Sequence, residues 1–240
     1  MNPVDDLRAF DGLRTGVIFC AWTGMNPMSA QRVQALLSIQ LQTGCPVMLL
    51  TAANIPHWQH PEHPFHPAFP LLSATHQADY LRVYLMHHYG GGYTDIKHTH
   101  RAWAPFFARL RAAPGHDALG YTEIGPHGVA PLPPPVGDLL RQHYDKLIGL
   151  CAFICRRYSP FTQAWMERTH AVLDDKLEQL RQHPARHPQD RHGALFEDGS
   201  HSPYPLAWTE LLGNVFHPLV LQLADRVLHD EIAPQFTNYR

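Results

Sequence analysis

The chain has 240 residues, 45% of them hydrophobic and 17% charged, a balance that suits a packed domain and excludes a disordered one. Nineteen Lys+Arg against twenty-one Asp+Glu leave a formal charge of −2, which excludes a broad basic nucleic-acid-binding face. The 22 prolines predict long ordered loops, and the 19 histidines predict a chain that turns clearly positive on mild acidification, since imidazole titrates near pH ~6.5.

Four cysteines (Cys20, Cys45, Cys151, Cys155) contain no CxxC pair and read as reduced thiols rather than a disulfide framework. The opening MNPVDDLRAF lacks a basic, then apolar, leader pattern, and no apolar run reaches the eighteen or so residues of a membrane span. The expectation is one soluble, cytoplasmic domain over residues 1–240.

Gly16–Trp22 (GVIFCAW) is an apolar run expected to be a buried strand. A helix follows, with Asn26 as cap, Pro27 in its first turn, Gly44 just past its end, and Val33, Leu36, Leu37 and Leu41 on one face. Pro46–Thr51 is a second buried strand, completing a parallel βαβ unit. After a Pro/His-rich loop (55–70), Thr75–Tyr89 is a helix that Gly90–Gly92 terminate, with a short strand at Tyr93–Ile96. Pro105–Ala112 reads as helix, Ala118–Thr122 as strand, and 124–137, containing PLPPP, as open loop. Leu147–Ile154 is a further strand, and Pro160 opens the longest helix, to about Gln182. A polar connector (183–205), a short helix at Leu206–Leu212 and an apolar stretch to Val227 complete the chain. This alternation predicts an open α/β sheet with helices on both faces.

Ligands of such sheets sit at the carboxyl ends of strands, which places Trp22, Asn54 and Asp95 in view. GGG before Tyr93 is not a GxGxxG fingerprint and opens no helix, so a dinucleotide site is not expected. Asp79 and Arg82 share one helix face at a spacing of three. They are either an intrahelical ion pair or an acid-positioned guanidinium aimed over the strand ends.

HQADYLRVYLMHHYGGGYTDIK resembles the DxD sugar-binding region of glycosyltransferases, in which Ala-Asp-x-x-Arg on a helix precedes Gly-Gly-x-Tyr and Asp-x-Asp. The likeness is to the capsular-polysaccharide-synthesis type and, more distantly, to the glucosylating toxins. FCAWTGMNPMSAQR and YPLAWTELLG resemble that family's first strand and its late Trp-and-acid segment. The resemblance implies a GT-A (Rossmann-like) fold, with a nucleotide-sugar-binding part over about 14–123 and an acceptor-side part over about 124–240. It implies retaining transfer of a sugar from a nucleoside-diphosphate donor to a saccharide acceptor in surface polysaccharide synthesis. By motif position, Asp95, Arg82 and Lys97 are the catalytic candidates. Trp22, Asp79, Gly91, Gly92, Tyr93, His201, Trp208 and Glu210 are the substrate-binding candidates.

The family's second DxD acid, a ligand of Mn2+ or Mg2+, is Lys97 here, so Asp95 is left as the lone acidic metal ligand. Either Lys97 neutralises the departing diphosphate and reduces metal dependence, or the site is non-catalytic and only binds the sugar nucleotide. Strand alternation puts Lys97 on the side of Asp95 rather than facing solvent.

Three other features stand apart from the motif. His57, His60, His63 and His66 recur every third residue, which aligns them on one side of a polyproline helix as a metal-binding module, or leaves them in a packed Pro/His loop. Cys151 and Cys155 share one face of a regular strand, with Arg156 and Arg157 as an anion-facing end or a solvated rim. The aliphatic Val215–Val227 stretch suits peripheral membrane association or completion of the core.

Overall fold

The first apolar run forms β1 (Ile18–Trp22), preceded by a one-turn helix α1 (Gly12–Thr15), in a computed structural model that describes residues 7–237. β1 pairs in parallel with β2 (Val47–Thr51) on one side and with β3 (Gly91–Thr94) on the other, Phe19 facing Tyr93. The predicted βαβ unit is therefore present, with α2 (Ala30–Gln42) as its crossover. Its cap is Ser29, whose side chain accepts the Arg32 amide, rather than Asn26. Its buried face also differs from the expected one. Ala35 and Ile39 pack against Cys20 and Ile96, while Val33, Leu37 and Leu41 are exposed.

α3 (Ala74–His88), capped by Ser73, runs back across the sheet and is buried on nearly every side. Gly90 ends it at φ +63°, where an added Cβ would stand 2.9 Å from the Arg157 amide nitrogen. β3 starts at Gly91, two residues before the predicted strand. α4 (Ala104–Arg111) and β4 (Ala118–Thr122) match expectation, whereas the PLPPP loop yields early to α5 (Val136–Gln142).

β5 (Ile148–Cys155) runs antiparallel to both β3 and β4, and α6 (Pro160–Gln182) follows behind a Ser159–Thr162 capping box. Turns replace the expected helix at 206–212. α7 (Gly213–Gln222) and β6 (Val227–His229), parallel to β4, close the fold. The sheet order β2-β1-β3-β5-β4-β6 is an open mixed α/β sheet. Because β5 comes from the second half of the chain and sits at the centre, the sheet runs across the 123/124 boundary.

Side-chain alternation sends the strands' residues to opposite cores. Phe19, Tyr93, Phe153 and Cys155 join α3, α6 and α7, where Trp165, Phe161 and Phe216 cluster around Phe153. Ile18, Leu119, Ala152 and Ile154 meet Trp103, Phe107 and Leu110 beside α4. Helices thus cover both faces. Val215, Phe216, Leu219, Val220 and Val227 are buried in the first core, so that stretch completes the interior. None of the described helices is long and apolar enough to cross a membrane.

Candidate functional site

α3 runs opposite to β3, so residues in its first half lie beside the carboxyl end of that strand. There Arg82 Nη2 reaches the Asp95 carboxylate at 2.9 Å and Asp79 at 3.5 Å. Arg82 Nη1 donates to the Leu150 carbonyl at 2.9 Å, and its guanidinium lies 4.7 Å from the Tyr93 ring centroid. Lys97 Nζ closes on the other Asp95 oxygen at 2.5 Å and on Cys151 Sγ at 2.9 Å. Four residues scattered over nineteen positions are thus one charged group. The Asp95 side chain keeps 20% of its surface exposed, against 11% for Arg82 and 8% for Lys97.

Burial pushes the Asp95 carboxyl up, but Arg82 and then Lys97 more than offset it and hold it well below the usual carboxylate range. Asp79 goes the other way. Burial, only partly countered by Arg82 and reinforced by Asp95, pushes it up to about 7. Lys97 is disfavoured by burial, yet Asp95 and Cys151 raise it above the ordinary lysine range. Burial and Asp95 push the Cys151 thiol up to about 11, against the pull of Lys97.

Each member is placed by backbone. The Asp95 amide donates to the Cys151 carbonyl at 2.8 Å, continuing the β3–β5 ladder by one residue. The Lys97 amide donates to the Asp95 carbonyl at 2.7 Å, a tight turn that returns its side chain to the same carboxylate. β5 is bulged opposite Gly120–Thr122, and Gly149 sits where any Cβ would fall 1.9 Å from the Tyr121 ring. That bulge corrects the expectation for the thiols. Cys155 joins the α3/α6 core, whereas Cys151 packs on the opposite side and meets Lys97.

Other candidates hold different places. Asp79 is 4% exposed, and its carboxylate contacts the Arg82 guanidinium. Tyr93 is fully buried against Phe153; it supports Arg82 and, at 3.5 Å, Asp95, and does not line an open pocket. Gly91 and Gly92 begin β3, so Gly91 lies about 13 Å along the strand from Asp95. A Cβ on Gly92 would strike Trp103 at 2.8 Å, and one on Gly91 the Val17 carbonyl at 2.9 Å. Packing accounts for both glycines.

Trp22 is half-buried against the small core of Cys20, Ala35, Ile39 and Ile96, and donates Nε1 to the Asn26 carbonyl at 2.8 Å. The Asn54 side chain ties off β2 through the Thr51 amide and the Leu49 carbonyl. His201 is exposed and bonds the Gly193 carbonyl. Trp208 lies under Arg191, and Glu210 accepts the Ala207 amide at 2.7 Å. Among the described residues, no hydrogen bond, ion pair or ring contact joins these three to the Asp95 group. Their segment instead docks on α3 through His76, which bonds the Ala207 carbonyl and the Tyr204 hydroxyl. Arg156 and Arg157 are half-buried and donate to carbonyls, Leu110 and Phe10 among them, and Arg157 also lies 3.9 Å from the Asp11 carboxylate.

Sequence reasoning missed the chain's last described segment. Phe236 stands over Lys97 at 5.8 Å and over Tyr121 at 5.9 Å, anchored by the Gln235 amide on the His98 carbonyl at 2.8 Å. No periodicity near the terminus signals this.

A divalent ion does not fit Asp95 as arranged. Both carboxylate oxygens already face cations, the second DxD oxygen ligand is an ammonium, and among the described residues the further carboxylate beside the group is Asp79, on the far side of Arg82.

The fold and this group together define an open mixed α/β sheet with a compensated acid–arginine–lysine cluster at a strand end. Comparison of the chain with protein-family models, with curated proteins and with solved structures finds no match.

Proposed function

We propose that the chain is a GT-A-type glycosyltransferase that moves a sugar, with retention, from a nucleoside-diphosphate sugar to a saccharide acceptor in surface polysaccharide synthesis. The observation that carries this reading is the convergence of Arg82 and Lys97 on Asp95, at 2.9 and 2.5 Å, at the carboxyl end of β3. Helix acid, helix arginine and strand-end acid are the elements of the resembled motif, and they meet in space.

In this reading Lys97 takes the charge-neutralising part of the ion that the resembled family binds. Charge builds on the leaving diphosphate while the anomeric carbon gains oxocarbenium character. Arg82 and Lys97 are fixed cations that meet this charge without reorganising, and their contact with Asp95 fixes their geometry beforehand. Asp95 offers the acceptor oxygens for sugar hydroxyls. Asp79, acting through Arg82, is a positioning residue. When it holds its proton, the four-residue group carries a net charge of about +1, which favours an anionic donor. Phe236 stands over Lys97, so in this reading the donor reaches the ammonium only if that segment gives way.

The test is a panel of nucleotide sugars assayed for hydrolysis and transfer, with and without manganese, beside Asp95→Asn. Turnover that survives EDTA and falls at least about 100-fold in the variant supports the reading. Activity that vanishes in EDTA and returns with manganese overturns the role given to Lys97, and a wild-type chain that neither binds nor cleaves any donor overturns the whole. Donor binding without turnover favours a second reading, a non-catalytic sugar-nucleotide binder. The ammonium of Lys97, standing where the resembled motif has its second acid, favours that alternative.

A further inference from the structure

A second constellation lies at the far end of α3. We propose that His60, His63 and His88 form a site for a zinc-class transition-metal ion, with one coordination position open to the cavity beside them. The three rings each offer a nitrogen, and all three nitrogens lie within 4.8 Å of one another. Nitrogens bound at about 2.05 Å in a tetrahedron stand about 3.3 Å apart, so closure needs an inward movement of roughly 1–1.5 Å. His63 is exposed and can supply most of it by rotating its ring.

The loop is already tied to the helix. Tyr84, one turn before His88, accepts the His60 amide at 2.6 Å and donates to the His63 carbonyl at 2.5 Å. The His60 and His63 rings stack on His88 with centroids 5.2 and 4.9 Å away. An independent sign is His88 itself: the residue is 5% exposed, yet its Nδ1 has no hydrogen-bond partner. Buried ring nitrogens ordinarily find one, and a metal supplies it here. His60 Nδ1 holds a 3.2 Å contact from the Glu62 amide, so binding exchanges that long neutral bond or the ring's tautomer for a metal–nitrogen bond.

An all-imidazole donor set selects zinc-class ions over Mg2+ or Mn2+. Three histidines leave the fourth position of a tetrahedron, and His63 and His88 line a cavity of about 370 Å³ together with Glu62, His87, Glu167 and His170. A water or a small anion completes the shell there. The ion staples the 55–66 loop to α3. Of the four evenly spaced histidines, His57 is exposed outside the cluster and His66 pairs with Asp174 at 3.0 Å, so helical alignment of the loop is not what builds the site. His88 is nine residues from Asp79, about 14 Å along the helix, which makes this site separate from the Asp95 group.

The experiment uses the full chain, stripped with EDTA, dialysed and titrated with Zn2+ by calorimetry, with Co2+ as a spectroscopic stand-in. The expected result is one Zn2+ per chain, a tetrahedral-type Co2+ absorption band and a raised melting temperature. His63→Ala, at an exposed position, weakens binding by more than about 100-fold, beyond what loss of a merely supporting partner costs. His60→Gln does the same, while His57→Ala binds as wild type. Equal binding by wild type and His63→Ala, equal loss in His57→Ala, or several weak equivalent ions per chain would each overturn the site.

Discussion

Asp79 makes the charged group measurable without any substrate. Its carboxyl is raised by burial from an ordinary value of 3.8 to about 7, with Arg82 offsetting part of that cost and Asp95 adding to it. A group that binds its proton more tightly when folded stabilises the native state fully below its unfolded value. It loses that stabilisation as pH rises through the folded one. The shift spans roughly three pH units at about 1.36 kcal/mol each, so the Asp79 contribution falls by at most about 4 kcal/mol between pH 4 and 8. Asp79→Asn keeps the size of the protonated acid and cannot ionise. Relative to wild type it therefore gains stability with rising pH, by about 2–4 kcal/mol across that range. His87 and His88, lowered to about 4 and about 3 chiefly by burial, act in the opposite direction, but they are common to both proteins and cancel in the difference. The assay is urea unfolding of both proteins at pH steps from 4.5 to 8.5. A difference that stays flat, or that favours wild type at high pH, would show that Asp79 is ionised throughout, and the proton-dependent charge of the group would go with it.

Arg82→Met leaves the buried Asp79 carboxyl without its cationic partner and Asp95 with Lys97 alone, and is expected to cost about 3–5 kcal/mol of unfolding free energy at pH 8, read by the same denaturant titration; a loss under 1 kcal/mol would mean the cluster is solvated. Lys97→Asp restores the acid of the resembled motif, so thermal stability in the variant, unlike wild type, rises with added Mn2+; an equal response of the two refutes the assignment of Lys97 to the ion's place. Cys151, its thiol pushed up to about 11, reacts with a thiol reagent at pH 8 far more slowly than a free cysteine despite touching Lys97, as mass mapping of labelled peptides would report; rapid labelling there refutes the burial argument. Gly149→Ala drives a methyl into Tyr121 and should lower stability by about 1–3 kcal/mol or more, and a neutral outcome in a melting scan would remove the bulge as the reason β5 carries glycine.

What the chain reveals of this architecture divides along a physical line. β1, β2, β4 and α6 were legible because each is specified by its own composition: apolar runs between turn residues, or a serine cap ahead of a proline-led helix. β3 was displaced because Gly91 and Gly92 carry no strand preference of their own. Their pairing is imposed by β1 and β5, and their missing side chains make room for Val17 and Trp103. On α2 the large apolar residues point to the wrong face, since Ala35 and Ile39 are buried while Val33, Leu37 and Leu41 stay exposed. The three-histidine cluster was half visible, since His88 lies 25 positions from His63 and only α3's path past the loop brings it in. The Asp95–Lys97 contact shows the limit of pattern reasoning most sharply. Alternation along a strand predicted that both side chains share a side, and they do, yet neither residue belongs to β3. A hydrogen bond from the Lys97 amide to the Asp95 carbonyl, closing a three-residue turn, brings them together. The geometry therefore depends on backbone at Asp95–Ile96–Lys97, held from outside by Arg32 on the Ile96 carbonyl at 2.6 Å. Arg32, the last residue of the FCAWTGMNPMSAQR segment and no site candidate on sequence grounds, belongs among the residues that shape the site.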